Sequence, residues 1–234
     1  MRLMIPLVAV ACLIAGTAQA QEYRFSANSS RGYSAVDVDL PNVQVSRRAD
    51  NLVVSVRVAC DTREAAQRRS EITQTLAAMA REAGLDASIE LGLDSGGHVV
   101  AFDARMIPTL RFHSDDGRPD TSAVTLVIKT PIAEGDTLEA SSARIRAFIE
   151  KTQRVGRTEL RLMDDWEPTV ISPDQYRPAI LAAIAADAGT TAGAFGPSYG
   201  VEVTGLSRQV TWRQAGPLEL MLYIPYELSV TPGG

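Results

Sequence analysis

The chain is poor in the residues that build metal centres, disulfide frameworks and covalent active sites. Among 234 residues there are 2 cysteines and 2 histidines, and aromatics make up 6%. Cys12 lies in an apolar N-terminal stretch and Cys60 ends an alternating apolar run. If Cys12 leaves with a leader, Cys60 has no intramolecular partner, so stability rests on packing. Beside Asp61, Cys60 reads as a small buried residue at a strand end. The competing role is an oxidant-sensing thiol or an intermolecular disulfide. His98 and His113 stand in separate segments, with no His-x-x-x-His or cysteine pair to complete a metal site. No phosphate loop or dinucleotide fingerprint occurs, and no cofactor is expected.

Positive charge is also scarce. Asp+Glu 28 exceed Lys+Arg 23, and no basic stripe with interleaved aromatics is present, so nucleic acid is not an expected partner. The densest basic pairs, Arg47-Arg48 and Arg68-Arg69, read as solvated. Past the N-terminus no apolar run reaches the roughly 18 residues that a transmembrane helix needs, so no span is expected once a leader is removed.

What is present begins with that leader. Arg2 is a minimal basic region, Leu3 to Gly16 is largely apolar, and Ala18-Gln19-Ala20 offers small residues where a signal peptidase reads. Residues 1–20 are therefore predicted to be a cleaved signal peptide, and the mature chain an exported, periplasmic protein, with association at the outer membrane as a variant. Ala9 and the apolar residues beyond Cys12 argue against lipidation at that cysteine. Residues 21–42 read as an N-terminal extension and 43–234 as a domain made of two strand-helix units, at about 43–105 and 121–234.

The units are marked by a repeat. Asp61-Thr62-Arg63-Glu64-Ala65 recurs as Asp136-Thr137-Leu138-Glu139-Ala140, each time between an alternating strand and a helical stretch. Leu52, Val54, Val56 and Val58 alternate as one strand face, and Ile72, Leu76, Met79 and Ala83 follow at helical spacing up to Gly84, read as a left-handed stop. Ser88 to Leu93 then returns as a strand. In the second unit Val124, Leu126 and Ile128 alternate, Leu138, Ile145, Phe148 and Ile149 mark the helix, Gly156 ends it, and Thr158 to Met163 returns. Asp61 with Glu64, and Asp136 with Glu139, have the spacing of helix caps. Between the units, Asp94-Ser95-Gly96-Gly97 reads as a turn, Val99, Val100 and Phe102 as a short partner strand, and His113 to Asp120 as an exposed loop.

Ser172-Pro173-Asp174-Gln175 opens a third, alanine-rich helix with Ser172 as its cap and Ile180, Ile184 and Ala188 on one face. Pro178 requires that the regular helix begin near it or kink there. Val201 and Val203 then precede Gly205, read as a bulge, and Leu218 to Val230 alternates at every second position as a last strand, with Pro225 favouring an edge or a bulge there. The predicted class is α+β: two strand-helix-strand repeat units with antiparallel or mixed sheets, the alanine-rich helix and a closing C-terminal hairpin.

That order resembles the SIMPL-domain family of exported bacterial proteins. Three segments carry the resemblance: Arg48-Ala49-Asp50 leading into Leu52 to Val58 and the helix at Glu64-Ala65-Ala66; Tyr176 followed by Ala179, Ala182, Ala183 and Ala186; and the strand Leu218 to Val230. The family's proline before the Asp and Asn in its first helix are replaced here by Ser46-Arg47-Arg48-Ala49 and Arg68-Arg69-Ser70. The resemblance implies a periplasmic or outer-membrane-associated protein, ring-forming oligomers among its relatives, and no catalytic motif.

Two functions follow as expectations. The first is a non-enzymatic protein that self-associates or binds an envelope protein, using the free edge of the last strand. The alternative is a small-molecule binder or hydrolase whose cleft is rimmed by Asp164, Asp165, Trp166 and Glu167, carboxylates that follow directly after a strand.

Overall fold

A computed structural model describes residues 22–23, 42–96, 98–115 and 118–232. The predicted leader, most of the extension, Gly97 of the predicted turn, and Asp116-Gly117 of the predicted loop lie outside the described residues. The elements in chain order are β1 (Glu22–Tyr23), β2 (Val45–Arg48), β3 (Asn51–Cys60), α1 (Ala65–Gly84), β4 (Glu90–Ser95), β5 (His98–Ala101), β6 (His113–Asp115) and β7 (Arg118–Pro131). They continue with α2 (Leu138–Lys151), β8 (Thr158–Leu162), β9 (Glu167–Ile171), α3 (Arg177–Phe195), β10 (Tyr199–Thr204), β11 (Thr211–Gln214), β12 (Glu219–Tyr223) and β13 (Glu227–Pro232).

The period-two runs become the two central strands. β3 pairs antiparallel with β7 over its whole length, from Asn51↔Pro131 to Cys60↔Ser122. Each unit's return strand crosses to the other unit: β4 lies on β7 through Leu91↔Ile128, and β8 lies on β3 through Val58↔Leu160. The resulting order β8-β3-β7-β4 is a split β-α-β arrangement. Neither unit can therefore complete its sheet without the other. Val54, Val56, Val58, Leu126 and Ile128 meet Ile72, Leu76 and Met79 of α1 and Ile145, Phe148 and Ile149 of α2 in one core. Burying side chains of this size stabilises by roughly 1.5–3 kcal/mol each.

A second core lies beyond β9. Val170, Ile180, Ile184, Trp212, Leu220, Leu222 and Ile224 pack together, joining α3 to a three-stranded sheet ordered β11-β12-β2. α3 starts at Arg177, so Pro178 falls in the first turn, where its missing amide costs no helical bond, and the alternative of an internal kink does not arise.

The main sheet also closes on itself. β9 pairs with the start of β3 through Asn51↔Thr169, β5 pairs with β4, and β1 sits between β5 and β9. The strands β3, β7, β4, β5, β1 and β9 thus return to β3. Part of the stretch read as an extension belongs to the sheet.

Several local expectations change. The run Leu218 to Val230 is two strands, broken at Ile224-Pro225-Tyr226: β12 is paired on both sides by β11 and β2, while β13 pairs with β10. Pro225 has no amide to offer a ladder, and its carbonyl instead accepts from Arg208 at 3.2 Å. The segment from His113 is a hairpin arm, with His113 opposite Ala123, rather than an exposed loop. Gly84 ends α1 without a left-handed conformation, whereas Gly156 is left-handed and lies beyond the end of α2. Gly205, also left-handed, is a turn residue after β10, its carbonyl accepting from the Arg208 amide at 3.0 Å, and not a bulge.

Candidate functional site

The segment Asp164–Glu167 leads from β8 into the start of β9. Asp164 is exposed. The Asp165 carboxylate turns back to β3 and accepts from the Ser55 amide at 2.9 Å. Trp166 packs against the main core, with the Arg146 guanidinium 5.3 Å from its ring centroid. Glu167 opens β9 opposite Val53. Asp165 and Trp166 therefore fasten the β8–β9 connection to the sheet and helix α2.

The repeated motif serves two different purposes. In the second unit the cap of α2 is Thr137, whose hydroxyl accepts from the Ala140 amide at 3.1 Å. Asp136, predicted as the cap, lies one residue too early: it accepts from the Ala133 amide at 2.8 Å and pairs with Arg144 at 2.7 Å. The Arg144 hydrogen bond holds its carboxyl below the usual carboxylate range. Glu139 reaches Arg146 at 3.3 Å instead of folding back to the cap. In the first unit α1 starts later, and Glu64 occupies the cap position without a side-chain cap bond. Asp61 is too far upstream to cap. Its two oxygens instead grip Arg157, at 2.6 and 3.0 Å, and one also meets Arg118 at 3.3 Å. Arg157 first, then Arg118, lowers its pKa. Ser172 is left-handed at φ 48° and makes no side-chain cap bond, and a 3₁₀ turn at Pro173–Tyr176 stands between it and α3.

A buried polar cluster around Glu71 is one the sequence does not announce. Glu71, on the inner face of α1, is 7% exposed. One carboxylate oxygen accepts from the Thr62 hydroxyl at 2.6 Å, the Arg157 amide at 3.0 Å and the Cys60 thiol at 3.1 Å; the other accepts from Gln67 at 2.8 Å. Led by Thr62 and the Arg157 amide, these donors push its pKa down from 4.5 to about 2. Arg68, expected to be solvated, is 8% exposed and donates to the Ser122 hydroxyl at 2.9 Å and the Thr62 carbonyl at 2.7 Å. A carboxylate saturated by four donors is neither a base nor a ligand in waiting. It joins the end of β3, helix α1 and the turn before β8. Cys60, 2% exposed and donating into this cluster, is not a surface thiol.

His98 and His113 fall on β5 and β6, and among the described residues no group of three His, Cys, Asp or Glu side chains is placed to hold a metal. One hydrolase pattern does occur in the sequence: Gly196-Pro197-Ser198-Tyr199-Gly200 has Gly-x-Ser-x-Gly spacing. A nucleophile elbow runs from strand to helix, however, and this segment runs from helix α3 to strand β10. It is a connection, with Ser198 exposed.

Helix α3 presents an unusual surface. It carries only Arg177 and Asp187 as charged residues, and only Ile180 and Ile184 are buried. Ala179, Ala182, Ala186 and Gly193 face solvent, and Phe195 and Tyr199 are 55% and 46% exposed at its end, with ring centroids 6.1 Å apart. With the preceding turn it is long and apolar enough to cross a membrane by length and composition alone, a run the sequence reading does not count. Its contacts with β10 and the second core place it on the folded domain. No family model, curated protein or solved structure matches the chain.

Proposed function

We propose that this chain is an exported, non-enzymatic protein of the SIMPL type, which works in the periplasm by self-association or by binding an envelope protein through its C-terminal layer. The observation that carries the proposal is the exposed apolar side of α3, flanked by the two-stranded β10–β13 ribbon, in which each strand keeps one edge unpaired among the described residues. Extended apolar surface with open backbone edges is what protein partners cover. The free edge of the C-terminal run is confined to β13, since β12 is flanked on both sides. Export is supported by the N-terminal leader pattern, and the SIMPL type by two strand-helix-strand units followed by an alanine-rich helix and closing strands. The carboxylate-rimmed cleft receives no such support, because Asp165 and Trp166 are committed to holding the sheet together.

Introducing charge on the open side of α3, as Ala182→Glu with Ala186→Glu, tests the proposal. Sedimentation velocity is expected to show assemblies of the mature chain that dissociate in the double variant while its circular dichroism is unchanged. Equal assembly of both proteins overturns the role of α3.

A further inference from the structure

β1 occupies a slot that belongs to other parts of the chain. Tyr23 is opposite His98 of β5 on one side and Val170 of β9 on the other, and Glu22 is opposite Ile171. Both pairings are antiparallel, so β5 and β9 run in the same direction and cannot pair with each other as an antiparallel ribbon. Behind the slot each wall is fixed: β5 is hydrogen-bonded to β4 and β9 to β3. The Asp50 carboxylate further pins β9 by accepting from the Ile171 amide at 2.7 Å. An empty slot would leave two facing rows of backbone donors and acceptors, and such edges recruit a strand.

The resident strand is short. Three register pairs at roughly 1 kcal/mol per hydrogen bond hold it weakly compared with the body of the sheet. Residues 24–41 connect it to the domain and, fully extended, reach about 60 Å. A domain of this size is about 40 Å across. The strand can therefore reach the slot of an adjacent copy, and the exchanged form keeps every pairing of the closed form, which makes swapping a low-cost route to a dimer. If the leader is removed before Gln21, the strand lies at the chain end and can leave or enter the slot without drawing a loop through it.

We infer that the slot between β5 and β9 is a strand-acceptor site whose partner is the N-terminal strand of a second copy of this chain. This rests on the self-association proposed above, because the tether gives the chain's own strand an effective concentration in the millimolar range and exchange prevails only where copies are already held together. It goes beyond that proposal by naming a second contact, at the opposite end of the sequence from α3.

Cross-copy disulfide trapping tests the inference. Mature chains carrying Cys60→Ser are prepared with Tyr23→Cys in one pool and His98→Cys in the other, then mixed and oxidised; residues facing each other in an antiparallel pair lie within disulfide reach. The expected result is a disulfide-linked heterodimer as the main product. A control mixture of Tyr23→Cys with Ser198→Cys, which is exposed outside the slot, is expected to give at least tenfold less. A single chain carrying both Tyr23→Cys and His98→Cys that closes only on itself, with no heterodimer in the mixed pools, overturns the exchange. So does equal cross-linking in the control. Light scattering on the same samples separates the two levels: assemblies without slot cross-links leave self-association standing and remove the exchange, whereas monomers without cross-links remove both.

Discussion

Gly156 lies so close to Glu71 that a Cβ at position 156 would overlap the buried carboxylate. The glycine is also left-handed, at φ 58°. Two demands thus meet at one residue: a backbone conformation that L side chains avoid, and close approach to an acid that four donors hold in place. Gly156→Ala is expected to lose about 1–2 kcal/mol through the backbone conformation alone, and more through displacement of the carboxylate. A urea midpoint equal to that of the parent would contradict this.

Glu71 should impose an acid limit on stability. Its folded pKa, about 2, lies below the ordinary 4.5, so its stabilising contribution is complete above 4.5 and drains away as pH falls toward the folded value. Glu71→Gln replaces one acceptor with a donor among groups that already donate, and should destabilise at pH 7. Urea midpoints measured from pH 7 down to pH 3 should fall more steeply in the parent than in the variant. Parallel slopes would show that Glu71 is not the group responsible.

At the start of α2 the hydroxyl, not the carboxylates, caps the helix. Thr137→Ala should cost about 1 kcal/mol, the usual loss for an N-cap, while Glu139→Ala, whose side chain is 82% exposed, should be near neutral. The reverse order in thermal denaturation would restore the cap assignment suggested by the sequence.

Asp61 and Arg157 should act as a pair. In a double-mutant cycle, Asp61→Ala is expected to lose much of its effect once Arg157→Ala is present, and the coupling should shrink as salt is raised, because both side chains are partly exposed, at 31% and 68%. A cap at Asp61 would behave otherwise, keeping its full effect in the Arg157→Ala background.

What the sequence made legible was what lies close along the chain. Alternation in Leu52 to Val58 and in Val124 to Ile128, and helical spacing in Ile72 to Met79 and Ile145 to Ile149, set the strands and helices of the first core. Local pattern does not say which strand pairs with which, so the exchange of β4 and β8 between units was not visible. Nor was the second identity of the repeat. The same Asp-Thr-x-Glu-Ala precedes a helix that starts at Ala65 in one unit and at Leu138 in the other, so its Thr donates to Glu71 in the first case and caps in the second. The partner of Asp61 is 96 residues away, beyond any window of periodicity. Proline was the signal that carried most at the C-terminus: Pro225 pointed to irregular pairing and marks where one expected strand becomes two. For the candidate site, Asp164 to Glu167 stood out by composition, but which of those side chains turn inward depends on Ser55 and Arg146, distant elements that only the fold brings near.

Self-association of the folded, mature chain is tested most directly by sedimentation equilibrium from low to high micromolar concentration. The average mass is expected to rise with concentration above the monomer value. A mass that stays at the monomer throughout, with the protein folded, would contradict it.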